Sequence, residues 1–328
     1  MKHLTIIVPD GEGNNLSSIV GAYKIMMRAN NYWMQNGHQQ LFNIQLAGIS
    51  KTVDFYGGLF TVNPHTYISD IEYTDLVIIP SLNHHYQKTV QANKELAAWI
   101  AKQYKNGAAV ASICTGAFLL AATGLLDGKT CSTHWSAADH FRIMFPKVRL
   151  QPDKLITDEG GIYTNGGAYS FLNLMIYLVE KYFDRPTAIY CAKVFQIEMD
   201  RNSQSGFSIF TGQKIHGDGM VQEAQTYIEE HWNEKITIED LSTKLNVGRR
   251  NFDRRFIKAT GNTPIEYAQR VKIETAKKAF ESNRKTINEV MYEVGYTDAK
   301  AFREVFKKIT GMSPLEYKGR YYKEAVVA

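Results

Sequence analysis

Residues 111–135 read ASICTGAFLLAATGLLDGKTCSTHW. A run of small and apolar residues, Ala108–Ile113, ends on Cys114. Thr115 and Gly116 turn the chain, an apolar helix follows, and His134 stands further along at the end of STH. A strand that turns sharply into a helix, with a nucleophile-type side chain at the apex, is the elbow of α/β hydrolytic enzymes. The start of the helix favours an anion there and predicts a thiol more acidic than a free one. A cysteine is also small enough simply to fit so tight a turn. The stretch therefore predicts an α/β layer and poses one chemical question: whether Cys114, with His134, reacts or only lines a site.

The flanking sequence extends the layer. LTIIVPD (Leu4–Asp10), FNIQLAGIS (Phe42–Ser50) and DLVIIPS (Asp75–Ser81) read as strands. The last is a continuous apolar run of the kind that parallel sheets bury on both faces. Helices are predicted around Leu16–Met34, near Asn93–Lys105 and over Phe171–Phe183, the last opened by GIYTNGGAYS. This alternation predicts a doubly wound α/β fold. GEGNN after the first strand lacks the full GxGxxG spacing and is read as a turn.

The bulk numbers fit two soluble domains. The chain has 328 residues, 44% hydrophobic and 22% charged, enough for a core without a disulfide or metal staple. The three cysteines form no CxxC pair, which argues for a reducing cytosol and against a structural zinc site. Cys131 and Cys191 are expected to be buried and inert. His84-His85 has no carboxylate or cysteine at ligand spacing and reads as a solvated loop. The first apolar run is too short for a signal peptide, and no stretch reaches the length of a membrane-spanning helix.

From about Ser203 the texture changes. NSQSGFSIFTGQKIHGDGM is polar and aperiodic and marks a domain junction. Beyond it the pattern is helical and contains a repeat. NVGRRNFDRRFIKATGNTPIEYAQR (Asn246–Arg270) aligns with YTDAKAFREVFKKITGMSPLEYKGR (Tyr296–Arg320). Phe252 meets Phe302, Phe256 meets Phe306, Gly261-x-x-Pro264 meets Gly311-x-x-Pro314, and Glu266-Tyr267 meets Glu316-Tyr317. Each copy reads as helix, tight turn, helix. In the first, Asn246-Val247-Gly248 makes the turn, and Phe252, Phe256 and Ala259 share one helix face. Arg249, Arg250, Asn251, Asp253 and Arg254 are assigned to the exposed part. In the second, Thr297 is expected to cap a helix that buries Phe302, Val305, Phe306 and Ile309. Ala299, Lys300, Arg303 and Lys307 are expected to face outward. Charged faces of this kind are often only solvated surface. Two copies with matching cores, turns and cations favour recognition helices that reach base edges and phosphates in a DNA groove. From Val221 onward there are 20 Lys/Arg against 16 Asp/Glu, or +4 of the net +5.

This second part resembles the AraC/XylS-type DNA-binding domain over roughly Val221–Tyr322, most specifically in GYTDAKAFREVFKKITGMSPLEYK (Gly295–Lys318). The resemblance implies two helix-turn-helix units joined by a long helix, here about Pro264–Ser282, entering successive major grooves. Gly248 departs from the pattern, since many relatives carry Ser there.

The first part resembles the ThiJ/PfpI superfamily, related to the class I glutamine amidotransferases with their flavodoxin-like sandwich, over most of residues 1–185. The early VPDG, the elbow ICTGAFLLAATGLLDGK, STHW and the NGGA turn carry the likeness. It implies that His134 sits against Cys114. Two departures argue against catalysis. Ser18 holds the place of the acidic residue that active members set against the cysteine, and Thr115 follows Cys114 where PfpI-type peptidases have His. Catalytic residues are therefore assigned as none, with Cys114 and His134 as vestigial candidates. Ser18, Cys114, Thr115, Gly116, His134, Trp135, Asn165, Gly166 and Gly167 are expected to line a small-molecule site at the C-terminal edge of the sheet.

The pairing of the two parts resembles the GlxA group of bacterial transcriptional regulators. It implies a ligand-sensing domain over 1–205, a linker over 206–220 and a DNA-binding domain over 221–328. Double-stranded DNA, a small nitrogenous effector and a second copy of the chain are the implied partners. RNA polymerase is a further candidate, no membrane partner and no cofactor or metal are expected, and the location is cytoplasmic, on the nucleoid when DNA is bound. The rival readings are a cysteine-dependent hydrolase or amidase fused to a DNA-binding tail, and a redox sensor acting through Cys114.

Overall fold

A computed structural model describes residues 1–11, 14–82, 84–234, 236–282 and 284–322. Glu12 and Gly13 of the GEGNN turn, and residues 323–328, lie outside the described residues. The chain packs as two units divided between Gln204 and Ser205.

The first unit is built on a seven-stranded sheet. Its elements are β1 (Lys2–Val8), α1 (Leu16–Gln35), β2 (Phe42–Gly48), β3 (Val53–Phe55), β4 (Phe60–Val62), β5 (Thr66–Tyr67), β6 (Leu76–Ile79), α2 (Tyr86–Ala92), α3 (Lys94–Lys105), β7 (Ala109–Ser112), α4 (Ala117–Ala122), β8 (Thr130–Cys131), α5 (Ala138–Met144), β9 (Arg149–Leu150), β10 (Ile156–Glu159), β11 (Ile162–Asn165), α6 (Phe171–Tyr182) and α7 (Arg185–Phe195). The sheet order is β10-β11-β7-β6-β1-β2-β5. All pairings are parallel except β10 with β11. Strand alternation divides the core in two. Leu4, Ile6 and Val8 of β1 and Leu76 and Ile78 of β6 pack on the side of α1, α6 and α7. Ile7, Val77 and Ile79 pack on the side of α3, α4 and α5. Near-continuous apolar runs are what a sheet covered on both faces requires.

The helix expected near Asn93 is two helices. Asn93 is fully buried between α2 and α3. Its amide donates to Asp10 O at 2.7 Å and Thr89 O at 2.8 Å and accepts the Asp10 N–H at 2.9 Å. It therefore ties the end of β1 to this joint.

The second unit contains α8 (Gly219–Glu230), α9 (Ile238–Lys244), α10 (Arg249–Thr260), α11 (Pro264–Ser282), α12 (Ile287–Glu293), α13 (Ala299–Thr310) and α14 (Pro314–Tyr321). It has two apolar cores. Val221, Ala224, Ile228, Leu241, Phe252, Phe256 and Tyr267 form one. Ile273, Ala276, Phe280, Val290, Met291, Phe302, Phe306 and Tyr317 form the other. The helix α11 supplies residues to both.

The segment expected as a linker is packed on the helices. The Phe210 N–H donates to Glu274 at 3.0 Å, and Lys277 Nζ donates to Ser208 O at 2.6 Å. Glu274 and Lys277 are themselves a buried ion pair at 2.6 Å, so the segment supplies the extra hydrogen bonds that buried charges need. Tyr321 Oη bonds Gly206 O at 2.8 Å, and the Arg320 guanidinium lies over the Phe207 ring.

Candidate ligand site and candidate DNA interface

Cys114 stands where β7 leaves the sheet, in the left-handed region at φ +53°. Such a backbone is uncommon for a residue with a Cβ and concentrates at functional sites. A tight 3₁₀ turn, Cys114–Gly116, precedes α4. Gly116 is required by close approach: a Cβ there would lie 2.5 Å from Pro80 O and 2.9 Å from Ile79 O. The end of β6 is thus pressed against the elbow.

Hydroxyl groups hold this junction. Ser18 Oγ accepts the Ser81 N–H at 3.1 Å and donates to Asn15 O at 2.7 Å. The Ser81 and Thr115 hydroxyls are 2.9 Å apart. Thr115 Oγ1 also accepts the Leu82 N–H at 3.0 Å and donates to Leu82 O at 2.8 Å. Ser18 is 1% exposed and Thr115 4%. Both side chains are therefore committed to fixing the loop after β6 rather than free to meet a ligand.

The thiol differs from the expectation of an acidic one. Burial pushes the Cys114 thiol up, and the Ser81 hydroxyl and the Thr115 N–H and hydroxyl only partly offset this. The residue is 3% exposed, and α4 has only six residues. A short helix and three neutral donors do not compensate the loss of water around a thiolate. Among the described residues, none of the groups recorded as acting on the sulfur is a carboxylate.

His134 follows β8 and caps a one-turn helix. Its Nδ1 accepts the Ser136 N–H at 3.2 Å and lies 2.7 Å from Ser136 Oγ. An N–H can only donate, so Nδ1 carries no proton and the neutral ring holds its proton on Nε2. Burial, and next the neighbouring His84, keep its pKa below the ordinary histidine value. Thr133, just before it, donates to Cys114 O at 3.0 Å. His84 is exposed, as a solvated loop residue would be. Its Nδ1 lies 3.1 Å from Tyr86 Oη, and burial pushes that phenol up to about 12.

The NGGA turn is occupied by the protein itself. Asn165 is fully buried, and its amide donates to Leu155 O, Gly166 O and Ser170 O. Ser170 Oγ bonds Gly166 O. A Cβ on Gly166 would collide with Gln204 Nε2 and Ser132 Oγ, and Gly167 has φ +89°. Gln204 was not singled out in the sequence. It is 1% exposed, donates to Thr133 O at 2.8 Å and accepts the Trp135 N–H at 3.2 Å. It thus clamps the backbone on both sides of His134. Its only signal in the sequence is a polar residue in a polar stretch. Of the nine expected ligand residues, Cys114 and His134, with Trp135 beside them, keep groups not absorbed in this way.

In the helical unit the two copies superpose in chemical detail. Thr260 Oγ1 donates to Phe256 O at 2.8 Å, as Thr310 Oγ1 does to Phe306 O at 2.8 Å. Phe256 meets Tyr267 edge-on at 5.5 Å, and Phe306 meets Tyr317 at 5.5 Å. Gly261 and Gly311 end α10 and α13 in the left-handed conformation, at φ +71° and +77°. Gly248 is the N-cap of α10, without a side-chain bond. The cap of α13 is Asp298, not Thr297: its carboxylate accepts the Ala301 N–H at 2.8 Å. Asp is among the strongest caps and adds favourable charge at a helix start.

Arg250, Asn251 and Arg254 on α10, and Lys300, Arg303 and Lys307 on α13, are exposed. Arg249 is exposed and paired with Glu239. Arg254 donates to Asn251 at 3.1 Å. Asp253 and Ala299 are half-buried rather than outward, because each lies beside a core phenylalanine rather than opposite it. Arg255, which the sequence presents as one more cation, makes two bonds to Asp218, at 3.0 and 2.7 Å. Asp218 is also the N-cap of α8.

Among the described residues no helix is long and apolar enough to cross a membrane. No group of three or more His, Cys, Asp or Glu side chains among them could hold a metal ion.

Residues 34–181 match the DJ-1/PfpI family and residues 241–320 match a helix-turn-helix domain. The chain is thus a DJ-1/PfpI α/β domain followed by a helical helix-turn-helix domain. This order of domains is similar to that of AraC-family transcriptional regulators with a DJ-1/PfpI N-terminal domain. The HTH-type transcriptional regulator GbdR of Pseudomonas aeruginosa is 24% identical over 222 residues, covering 67% of this chain and 60% of GbdR. The regulator CdhR of the same species is 24% identical over 221 residues, covering 67% of this chain and 65% of CdhR. The chain therefore spans about three-fifths of the length of these relatives. The crystal structure of a ThiJ/PfpI family protein from Pseudomonas syringae shares the fold with TM-score 0.51 and 17% identity, covering 62% of this chain and 78% of that one.

Proposed function

We propose that the protein is a transcription regulator whose helical unit binds specific double-stranded DNA and whose α/β unit binds a small molecule without converting it. The observation that carries the first half is the duplicated module. Two helices of equal length, α10 and α13, have matched cores, matched glycine C-caps and exposed cations. A helix-turn-helix presents the start of its second helix to the major groove, and Lys300, Arg303, Arg250 and Arg254 suit phosphate and guanine contacts. The relatives named above are HTH-type transcriptional regulators, which supports the same reading.

The second half rests on the elbow. General-base activation of a thiol needs an unprotonated, oriented nitrogen. His134 has given its unprotonated nitrogen to Ser136, and the Cys114 thiol is held neutral by burial. Ser18 supplies no charge. A ligand bound there would persist and bias the protein between states. Its effector is a small metabolite, for which a nitrogenous compound is the first candidate. The protein acts in the cytoplasm as a homodimer, since paired sites raise affinity and specificity, and works on RNA polymerase at its promoters.

Selection of bound DNA fragments by the full chain, followed by footprinting, tests the reading. Protection of two neighbouring major grooves per monomer, about 34–36 Å apart, is expected. Binding of equal strength to every duplex would overturn it. For the α/β unit, Cys114→Ser should leave effector response intact, and turnover that vanished with the sulfur would replace the sensor by an enzyme.

A further inference from the structure

Three arginines of α10 have a described partner, and the partners differ in kind. Arg249 meets the Glu239 carboxylate, and Arg255 meets that of Asp218. Arg254 meets a neutral group: its Nη2 donates to Asn251 Oδ1 at 3.1 Å. A guanidinium carries N–H donors and no acceptor, so the amide atom turned to it is the oxygen. The amide thus orients the guanidinium without cancelling its charge, and the other N–H groups stay available. Both side chains are exposed, one turn apart, in the first half of α10, the half that a helix-turn-helix presents to the major groove.

Helix α13 shows that the fold does not need this pair. At the fifty-position offset of the repeat, Ala301 and Glu304 stand in place of Asn251 and Arg254. Yet α13 has the same 12 residues and the same glycine end as α10. An exposed pair at this spacing also contributes little to the stability of a helix.

We propose that Asn251 is a positioning residue for DNA recognition, holding the Arg254 guanidinium ready to meet O6 and N7 of one guanine. This rests on the reading of the helical unit as a sequence-specific DNA-binding domain, and it names a base and the residue that sets the preference for it. The planar guanidinium matches the two acceptors on the guanine edge. A free arginine loses rotamer freedom on binding, and one already held loses less. With its oxygen turned to Arg254, the Asn251 amide is not placed to read adenine itself, because that contact needs the oxygen to accept the adenine N6–H.

The test is selection of bound DNA from a randomised pool of duplexes, by the full chain and by variants at positions 251 and 254, with thermal unfolding of each. The wild type should enrich guanine at the base pair that Arg254→Ala releases. Arg254→Ala should lower the preference for guanine over adenine there by about tenfold or more. Asn251→Ala should lower it at the same base pair by about fivefold, the worth of ordering one long side chain. It should leave the other base pairs alone and not lower the melting temperature. Asn251→Asp keeps an acceptor for Arg254 and should keep the guanine. A preference that survives Asn251→Ala, a loss at a different base pair, or an Asn251→Asp chain that loses the guanine as Asn251→Ala does would overturn the assignment. So would an Arg254→Ala chain that binds all duplexes more weakly alike and with a salt slope smaller by about one, the mark of a phosphate contact. In each of these cases sequence-specific binding itself would stand. Enrichment of no sequence by the wild type would strike that reading, and this proposal with it.

Discussion

Ser18 Oγ receives the backbone N–H of Ser81 at 3.1 Å. This bond spans from the first turn of α1 to the end of β6, at the place where active relatives are expected to keep an acid. The serine has become part of the frame. Its hydroxyl fixes the end of β6, where the Ser81 hydroxyl meets that of Thr115 at the elbow, and both act on the sulfur. Replacing it, Ser18→Ala, leaves a buried N–H without a partner and should cost about 1–3 kcal/mol. Chemical denaturation of the full chain checks this. An unchanged midpoint would mean that the loop after β6 is held by Thr115 alone.

Gly116→Ala should be worse. The added carbon meets two carbonyl oxygens, Pro80 O and Ile79 O, and backbone cannot yield as a side-chain tip can. Overpacking of this kind costs about 1–3 kcal/mol or more. By contrast, Gly248→Ser faces open space at a helix cap and should gain a few tenths of a kcal/mol. Comparing the two melting curves tests whether the elbow or merely the residue type matters.

The burial of His134 gives a pH dependence with a definite sign. Its folded pKa lies below the unfolded value of about 6.5, so the unfolded chain takes up the proton first. Stability from this residue is intact above about pH 6.5 and falls as pH drops from there towards the folded pKa. Protonation of Nδ1 also removes the cap bond from the Ser136 N–H. Acid titration of the melting temperature should show this loss in the wild type and a smaller one in His134→Gln. A steeper loss in the variant would assign the dependence to other groups.

Two arginines, Arg255 on α10 and Arg303 on α13, should part company. Arg303→Ala is expected to weaken specific DNA binding by about 1–3 kcal/mol and relax preference at one base pair. Arg255→Ala removes a two-bond pair with Asp218, 2.7 and 3.0 Å long. It should lower stability while leaving the affinity of the folded protein within about twofold. Titration of labelled operator beside thermal unfolding separates the effects. Equal losses of affinity would place Arg255 on the DNA.

Binding should also weaken steeply with salt. Each phosphate neutralised contributes a slope of about −0.9 in log affinity against log salt concentration. Lys307→Ala should reduce the slope by about one if it meets a phosphate, and not at all if it meets a base alone.

The strands β1, β2, β6 and β7, the elbow and both recognition helices were legible because each is local: a run of apolar residues, a small residue at a turn, a phenylalanine every fourth position. The helix α11 was placed at its observed limits by the family resemblance. What escaped was long-range. Gln204 bonds residues some seventy positions away, and Asp218 meets Arg255 across thirty-seven. Neither has a periodic signature. The thiol was misjudged because a helix start is visible in the sequence whereas the depth of its burial is not. Tyr267 and Tyr317 were aligned in the repeat, yet their partners, Glu229 and Glu281, are not at equivalent positions. Space, not register, sets those contacts.

That last pair has a consequence for α11. Glu229 lies on α8, whereas Glu281 lies on α11, so α11 serves the second copy as α8 serves the first. It ends one copy and begins the next, with Tyr267 in one core and Ile273, Ala276 and Phe280 in the other. The helix is therefore a ruler with both marks engraved. One inserted residue would turn the second core by about 100° and advance it by about 1.5 Å, swinging α13 away from any groove matched to α10. Loops around it can lengthen freely. The spacing between the two reading heads is a constant of the chain, and the operator must be cut to its gauge.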